Sequence, residues 1–517
     1  MTISLVECLR RNTERAPEAE ALVSGGQRIS YGQLWRNVGR VSAFLMEKGI
    51  RKGDRVALLL ENSPEYVAGY YGILAAGGVA VALNSMARAR DLLHWLRHSE
   101  ASFLIADEAH PALGELLQQT DGPAAALLVS ETHPAPHAAR KDITYWQELA
   151  TAEAEAPGVD LRPRELAAII YTSGTTGDPK GVMLSHDNLN SNVASILAYL
   201  KLRDSDRVLN ILPFYYSYGN SVLHTHLATG ACVVLENGLT YPHRVMETMV
   251  DERITGFSGV PSTYALLLNR VPLEQYDLSS LRYLTQAGGA MAPAHISRIT
   301  RAIPHAAFFV MYGQTEATAR IAYLPPDKLH DKLGSAGIPI PGVEVEVRGR
   351  HGEPLPPGET GEIHVRGDNV MQGYWKNPAA TARVLQHGWL KTGDLARMDE
   401  DGYLYIQGRS SDMIKTGAHR INPQDIEEAI SELDGVAEAA VVGVPDEILG
   451  EVIKAVIVPR QGHTLDRKSV LAHCRRMLPM YKLPKHVEFA DHLPKTASGK
   501  VRRHLLVGKD QHSEASP

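Results

Sequence analysis

Short apolar runs alternate along this chain with longer stretches of helical spacing, and that alternation limits the possible fold more than any other feature. Arg55–Leu60, Ala101–Ala106, Ala125–Val129 and Leu166–Ile170 each hold four to six residues suited to a buried strand. Gly53-Asp54 and Asp107-Glu108 punctuate them as turns. Strand-like runs separated by helical patterns are the mark of an α/β architecture. The pattern changes near Val343. Val343–Val347 and Glu362–Val365 alternate apolar with polar residues, which predicts half-exposed strands in a small antiparallel or barrel-like sheet. A second change follows Gly408-Arg409-Ser410-Ser411, and the remaining stretch is long enough for a small α+β domain. The tail Gly508–Pro517 is polar, and Ala150–Arg164, rich in Ala, Glu and Pro, reads as a surface connection leading into the next strand.

With 517 residues the chain exceeds what one core usually holds, so two or more domains are expected. A net charge of -6 argues against a nucleic-acid footprint, which needs a basic excess. Cys8, Cys232 and Cys474 lie far apart, so neither a disulfide framework nor a zinc site is expected, and a reducing, cytoplasmic setting fits. The first residues show no basic stretch followed by a long apolar run, so no signal peptide is expected. Tyr66–Leu83 is uncharged and about long enough to cross a bilayer. Its glycines at 69, 72, 77 and 78 predict a buried helix, a break and a buried strand instead of a membrane span.

The sharpest chemical signal is the loop Tyr171–Gly181, which follows the Leu166–Ile170 strand and precedes a helix-like run from His186. Small residues let a backbone come close to an anion, while hydroxyls and N–H groups face its oxygens. Lys180 adds a cation. A flexible loop of the same composition is the plain alternative, but it does not explain this order of hydroxyls, glycines and lysine. A P-loop fails on spacing: two residues separate Gly177 from Lys180, and Gly181 follows the lysine where Ser or Thr is required.

This loop resembles the phosphate-binding motif of the adenylate-forming superfamily: acyl-CoA synthetases, adenylation domains of peptide synthetases and beetle luciferases. The likeness continues through Tyr312-Gly313-Gln314-Thr315-Glu316, Gly361–Gly367, Gly373–Pro378, Thr392-Gly393-Asp394, Gly408-Arg409 and Pro494–Lys500. Several separate motifs in one order over most of the chain make it specific. The resemblance implies a large N-terminal domain, residues 1–408, of two stacked α/β subdomains plus the barrel-like sheet. A small mobile α+β C-terminal domain, 409–517, follows it. It implies an ATP-dependent ligase that forms an acyl-adenylate and passes the acyl group to a thiol, CoA or the phosphopantetheine of a separate carrier protein.

Residue by residue, the resemblance assigns Thr172, Ser173, Gly174, Thr175, Thr176, Gly177 and Lys180 to the β/γ-phosphates. Glu316 and Thr176 would hold Mg²⁺. Gly289, Ala290, Met291 and Tyr312 would line the adenine slot, Gly313 and Thr315 would bind the nucleotide with them, and Asp394 would accept the ribose hydroxyls beside Arg409. Lys500 would be the catalytic lysine, set among eight basic residues between Arg475 and Arg503, most of which read as solvated. The hinge aligns with Ser411, where relatives carry Asp or Lys, with Asp412 adjacent. Arg420 would reach a phosphate, and Ala418 replaces a glycine common in relatives.

The acid pocket maps to Tyr216, Ser217, Tyr218, Ser221, Gly259, Gln286, Gly288, Met311, Ala319 and Arg320. Ser217 stands where amino-acid activators place an Asp, and burying an ammonium without a counter-charge is costly. That disfavours an α-amino acid. Tyr218 and Ser221, in register with a Tyr and a Ser of aryl-acid activators, and the room left by Gly259 and Gly288 point to an aryl acid or a hydroxylated or unsaturated one. A stand-alone enzyme loading a carrier protein, a luciferase-like oxygenase and a non-catalytic ATP-binding protein are the alternatives. Neither nucleic acid nor a membrane span is expected, and the chain would be a monomer or homodimer.

Overall fold

The computed structural model describes residues 4–118, 123, 125–129, 143–149, 160–172, 180–409, 412–416, 419–446, 449–496 and 499–507, with the backbone alone at 419 and 420. Two large sheets dominate. One has nine strands, running from Ile338–Pro339 through Ala322–Leu324, Ala307–Tyr312, Tyr283–Gln286, Gly256–Gly259, Arg207–Asn210, Cys232–Leu235 and Glu20–Ser24 to Gln27–Ser30. Its middle is parallel. The other has eight strands: Gly373–Tyr374, Lys180–Ser185, Leu166–Thr172, Val79–Ala82, Arg55–Leu59, Ala101–Asp107, Ala125–Val129 and Ile143–Tyr145. The four apolar runs read from the sequence, Arg55–Leu60, Ala101–Ala106, Ala125–Val129 and Leu166–Ile170, all lie in this second sheet, because strands covered on both faces are apolar throughout.

Helices Leu5–Arg15, Tyr31–Glu47, Pro64–Ala75 and Ser217–Thr229 pack against one another, and one continuous core draws on both sheets. Tyr31–Glu47 starts at a reciprocal cap: Ser30 Oγ accepts from the Gln33 N–H, and Gln33 Oε1 accepts from the Ser30 N–H. The uncharged Tyr66–Leu83 run splits as its glycines suggest, into the helix Pro64–Ala75, buried at every residue but Glu65, and the buried strand Val79–Ala82. No helix among the described residues is long and apolar enough to cross a membrane.

The alternating stretches form a separate antiparallel sheet of Val343–Arg348, Thr360–Gly367, Trp389–Met398, Leu385–Gln386 and Leu404–Arg409. Beyond it, Ile414–Thr416, His419–Ile421, Val436–Asp446, Gly450–Pro459 and His486–Phe489 make a five-stranded sheet flanked by helices Pro423–Ser431 and Arg467–Met477, with its own core. The basic residues of that region are largely paired: Lys482 with Asp425, Lys485 with Asp446, Lys495 with Glu438 and Arg503 with Glu427.

One element differs from the sequence expectation. Lys180–Ser185 forms a strand antiparallel to Leu166–Thr172, with Thr172 opposite Lys180. The glycine-rich segment therefore joins two paired strands, and helix His186–Leu200 begins only after the second, capped by Ser185 and Asn188.

Candidate active site

In open parallel sheets, ligands gather beyond the carboxyl ends of the strands, where the strand order reverses. Here that point is Arg207–Asn210: the next strand in sequence lies on one side of it and Gly256–Gly259 on the other. Helix Ser217–Thr229 starts just beyond. Gly259, Gln286 and Tyr312 end three neighbouring strands at the same edge.

Tyr312 connects this edge to the antiparallel sheet. Its hydroxyl donates to Asp394 Oδ2 at 2.6 Å, while Arg409 Nε lies 3.2 Å from Asp394 Oδ1. Asp394 and Arg409 are cross-strand partners, so the sheet register sets their approach. Burial pushes the Asp394 carboxyl above its ordinary value, against the pull of Arg409 and Tyr312. Burial and the adjacent Asp394 charge push the Tyr312 phenol well above its usual range. Arg409 is raised despite burial, because Asp394 and Glu316 favour its charged form.

Lys500 comes to the same place. Its residue is open to the cleft, yet protein mass around the ammonium and then the Arg409 charge lower its pKa, while Asp394 and Glu316 act in the opposite sense. Its neighbour docks the segment: Ser262 Oγ donates to Gly499 O at 3.4 Å, and a Cβ on Gly499 would stand 2.8 Å from both Ser262 Oγ and Val260 Cγ2.

Glu316 sits in a single helical turn, Thr315–Ala317, and Oε1 accepts from the Tyr374 hydroxyl at 2.9 Å. Lys180 Nζ lies 5.0 Å over the Tyr374 ring. Tyr374 thus joins the two expected phosphate-side residues, a role not read from the sequence although its Gly373-Tyr374-Trp375 segment was noticed. The turn reverses tightly at Gly313, where an added Cβ would stand 2.0 Å from Ala319 O. Thr172 Oγ1 lies 3.5 Å from Lys180 O. Ser173, Gly174, Thr175, Thr176 and Gly177 are outside the described residues, as are Ser411, Ala418 and the Arg420 side chain. Asp412 is exposed, its N–H donating to Arg409 O.

On the adenine side, Gly289 and Ala290 are exposed and Met291 is buried. Gln286 Nε2 donates to Gly289 O at 2.7 Å, and its buried Oε1 has no partner among the described residues. Of the acid-pocket residues, Ser217 Oγ meets Thr315 Oγ1 at 3.1 Å, and the Tyr218 hydroxyl meets Thr285 Oγ1 at 2.9 Å. Tyr216 packs against the Tyr215 ring. Ser221 spends its proton on Tyr218 O within the helix, which leaves only its lone pairs for a ligand. Gly259 faces Thr263 and Tyr264, and Gly288 has φ +86 with Val260 close by. Met311, Ala319 and Arg320 are buried together: Arg320 Nε lies 3.3 Å from Met311 Sδ.

Family models match two stretches of the chain, "AMP-binding enzyme" over residues 9–375 and "AMP-binding enzyme C-terminal domain" over 425–500. The feruloyl-CoA synthase of Amycolatopsis sp is 38% identical over 500 residues, 95% of this chain and 96% of that protein. The indoleacetate–CoA ligase of Aromatoleum aromaticum is 35% identical, over 97% of each chain. Among solved structures, ATP-bound MatB from Rhodopseudomonas palustris aligns with a TM-score of 0.88 at 30% identity, covering 98% of both chains. With that architecture and these motifs, the chain belongs to the AMP-binding enzyme family, as an AMP-forming acid–thiol ligase of the acyl-CoA synthetase type.

Proposed function

We propose that this ligase activates an aryl, or a hydroxylated or unsaturated, carboxylic acid with Mg²⁺-ATP and transfers it to CoA. The observation that carries the reading is that Lys500, docked through Gly499 against Ser262 and Val260, comes within electrostatic reach of Asp394, Arg409 and Glu316 at the carboxyl edge of the nine-stranded sheet.

An ionised carboxylate needs no general base, since its ordinary pKa lies near 4. The work left to the protein is positioning and charge neutralisation. An oxygen of the acid attacks the α-phosphorus, the bond to the β-phosphate oxygen breaks, and pyrophosphate leaves. Lys500 neutralises charge between the acid and the α-phosphate, and Asp394 takes the ribose hydroxyls with lone pairs that Tyr312 and Arg409 leave free. Glu316 suits a hard cation: Tyr374 occupies one carboxylate oxygen, and the other has no hydrogen bond among the described residues. With Thr176 and phosphate oxygens it would hold Mg²⁺, which spreads the charge of the leaving pyrophosphate. In the second half-reaction the CoA sulfur bonds to the acyl carbon as AMP departs. The small C-terminal domain, 409–517, turns about Ser411-Asp412 to withdraw Lys500 and admit the thiol, with Arg420 on a phosphate.

The acid class rests on Ser217 in place of a carboxylate, on the aromatic lining by Tyr216 and Tyr218, and on relatives named for feruloyl and indoleacetate substrates. Pyrophosphate release measured over a panel of acids tests it. Aromatic, hydroxylated or unsaturated acids should be turned over best, and CoA should accept the acyl group. Release with long saturated fatty acids alone overturns the acid class, and no AMP from any acid overturns the adenylation chemistry.

A further inference from the structure

Among the described residues, four side chains that carry charge at neutral pH, histidines aside, are deeply buried: Asp206, Arg320, Asp394 and Lys454. Asp206 pairs with Arg282, Asp394 with Arg409 and Lys454 with Glu488. Arg320, only 3% exposed, has no carboxylate within ion-pairing distance among those residues. Its surroundings are weak acceptors. The guanidinium lies 4.2 Å over the Tyr218 ring, Nε faces Met311 Sδ at 3.3 Å, and Nη1 reaches Ala319 O at 3.3 Å. A guanidinium has five N–H donors and keeps its charge; with the Tyr199 hydroxyl as a third neighbour beside Met311 Sδ and Ala319 O, two donors are left without an acceptor among the described residues. A buried cation left in that state is costly, and a ring face offsets only part of the cost.

The fold holds Arg320 there against backbone strain. Thr318 and Ala319 have φ of +59 and +118, values unfavourable for side-chain-bearing residues. Thr318 Oγ1 donates to Asn369 O at 2.5 Å, while Asn369 Nδ2 and Asn192 Nδ2 both donate to Arg320 O. Three side chains thus fix the turn that sends Arg320 under Tyr218. Thr315, five residues earlier in the same loop, contacts Ser217 at the entrance of the acid helix.

We infer that Arg320 is the specificity-determining group for an acceptor oxygen at the end of the acid remote from the activated carboxylate. The substrate class narrows to acids with a distal oxygen: a phenol, a ketone or a second carboxylate. This rests on the acid-pocket reading above. The oxygen lies in the guanidinium plane and takes the unused N–H donors, while Tyr218 covers one face of the guanidinium.

The test compares matched acids with and without the oxygen: para-hydroxycinnamate and para-carboxycinnamate against cinnamate, and an α,ω-dicarboxylic acid against the monocarboxylic acid of equal length. Wild type should favour the oxygen-bearing member of a pair by about tenfold or more in kcat/KM for pyrophosphate release. R320L should lower that member's kcat/KM on the order of a hundredfold and leave the bare acid within about threefold, since unpaired polar groups decide such discrimination. R320K, which keeps the charge and loses the planar fork, should retain the carboxylated acids better than the phenol. Equal loss across both members of each pair marks Arg320 as a strut for Tyr218 and overturns the inference, as does wild-type preference for the bare acids. If only the alkyl pair is turned over, the aryl reading fails while the ratio within that pair still judges Arg320. Should R320L not fold, R320K reads the same ratios.

Discussion

At the residue scale, Lys500 shows how the site tunes its own charge. The protein packed around the exposed Lys500 and the Arg409 guanidinium disfavour the ammonium, Asp394 and Glu316 favour it, and the net effect is a pKa below that of an ordinary lysine. A role as a positive partner of the α-phosphate requires the protonated form. Adenylation should therefore be fully present below the lowered pKa and decline as pH rises through it, earlier than a free lysine would allow. Lys500→Ala should lose on the order of a hundredfold or more in adenylation, the scale of removing one electrostatic partner of a transition state. Lys500→Arg should move the alkaline decline to higher pH, because arginine keeps its proton there. ATP–pyrophosphate exchange against pH measures both. Near wild-type exchange by the alanine variant removes Lys500 from the chemistry.

At the element scale, helix Ser217–Thr229 depends on Gly219 for its placement. A Cβ there would stand 2.4 Å from Pro213 O and 2.7 Å from Leu212 O, both backbone atoms that cannot turn aside. Helix propensity alone favours alanine over glycine by about 1 kcal/mol, but overpacking against fixed neighbours costs about 1–3 kcal/mol. The clash should win. Gly219→Ala should melt a few degrees lower and raise KM for the acid more than for ATP, since Ser217 and Tyr218 move with the helix. An unchanged melting temperature with an unchanged acid KM counts against this. Much of the architecture was legible at this scale because strands buried on both faces announce themselves as apolar runs, and Gly77-Gly78 marked the break after Pro64–Ala75. The strand Lys180–Ser185 was not, because its identity comes from pairing with Leu166–Thr172 and with Gly373–Tyr374, far along the chain. For the same reason the motifs supplied candidate residues but not their contacts. Tyr312 on Asp394, Tyr374 on Glu316 and the lack, among the described residues, of a carboxylate beside Arg320 are facts of tertiary packing, which local spacing does not encode.

At the scale of the whole molecule, the core encloses histidines that must stay neutral. Burial lowers His186 to about 4, His224 to about 3, His226 to about 4, and His295, with help from Arg298 and Arg460, to about 4. His226 shows the cause in its contacts: Nδ1 donates to Val222 O, so Nε2 accepts from the Tyr283 hydroxyl, and a second proton would break that bond. In the unfolded chain these histidines titrate near 6.5. Below that pH the unfolded state binds protons that the folded state refuses, so the stability present at neutral pH is lost as pH falls from about 6.5 towards 4. Each histidine contributes a slope of up to about 1.4 kcal/mol per pH unit, and four acting together reach about 5 kcal/mol per unit near pH 5. That is comparable with the whole stability of an ordinary domain. Paired carboxylates such as Glu7, lowered to about 2 by Arg10, enter later, once unfolded carboxylates begin to protonate below about 4.5. Guanidinium denaturation at pH 7.5, 6 and 5 at constant ionic strength should give a midpoint that falls steadily through the histidine window before the carboxylate one. A midpoint constant from pH 7.5 to 5 excludes the buried neutral histidines as the acid-sensitive part of the core.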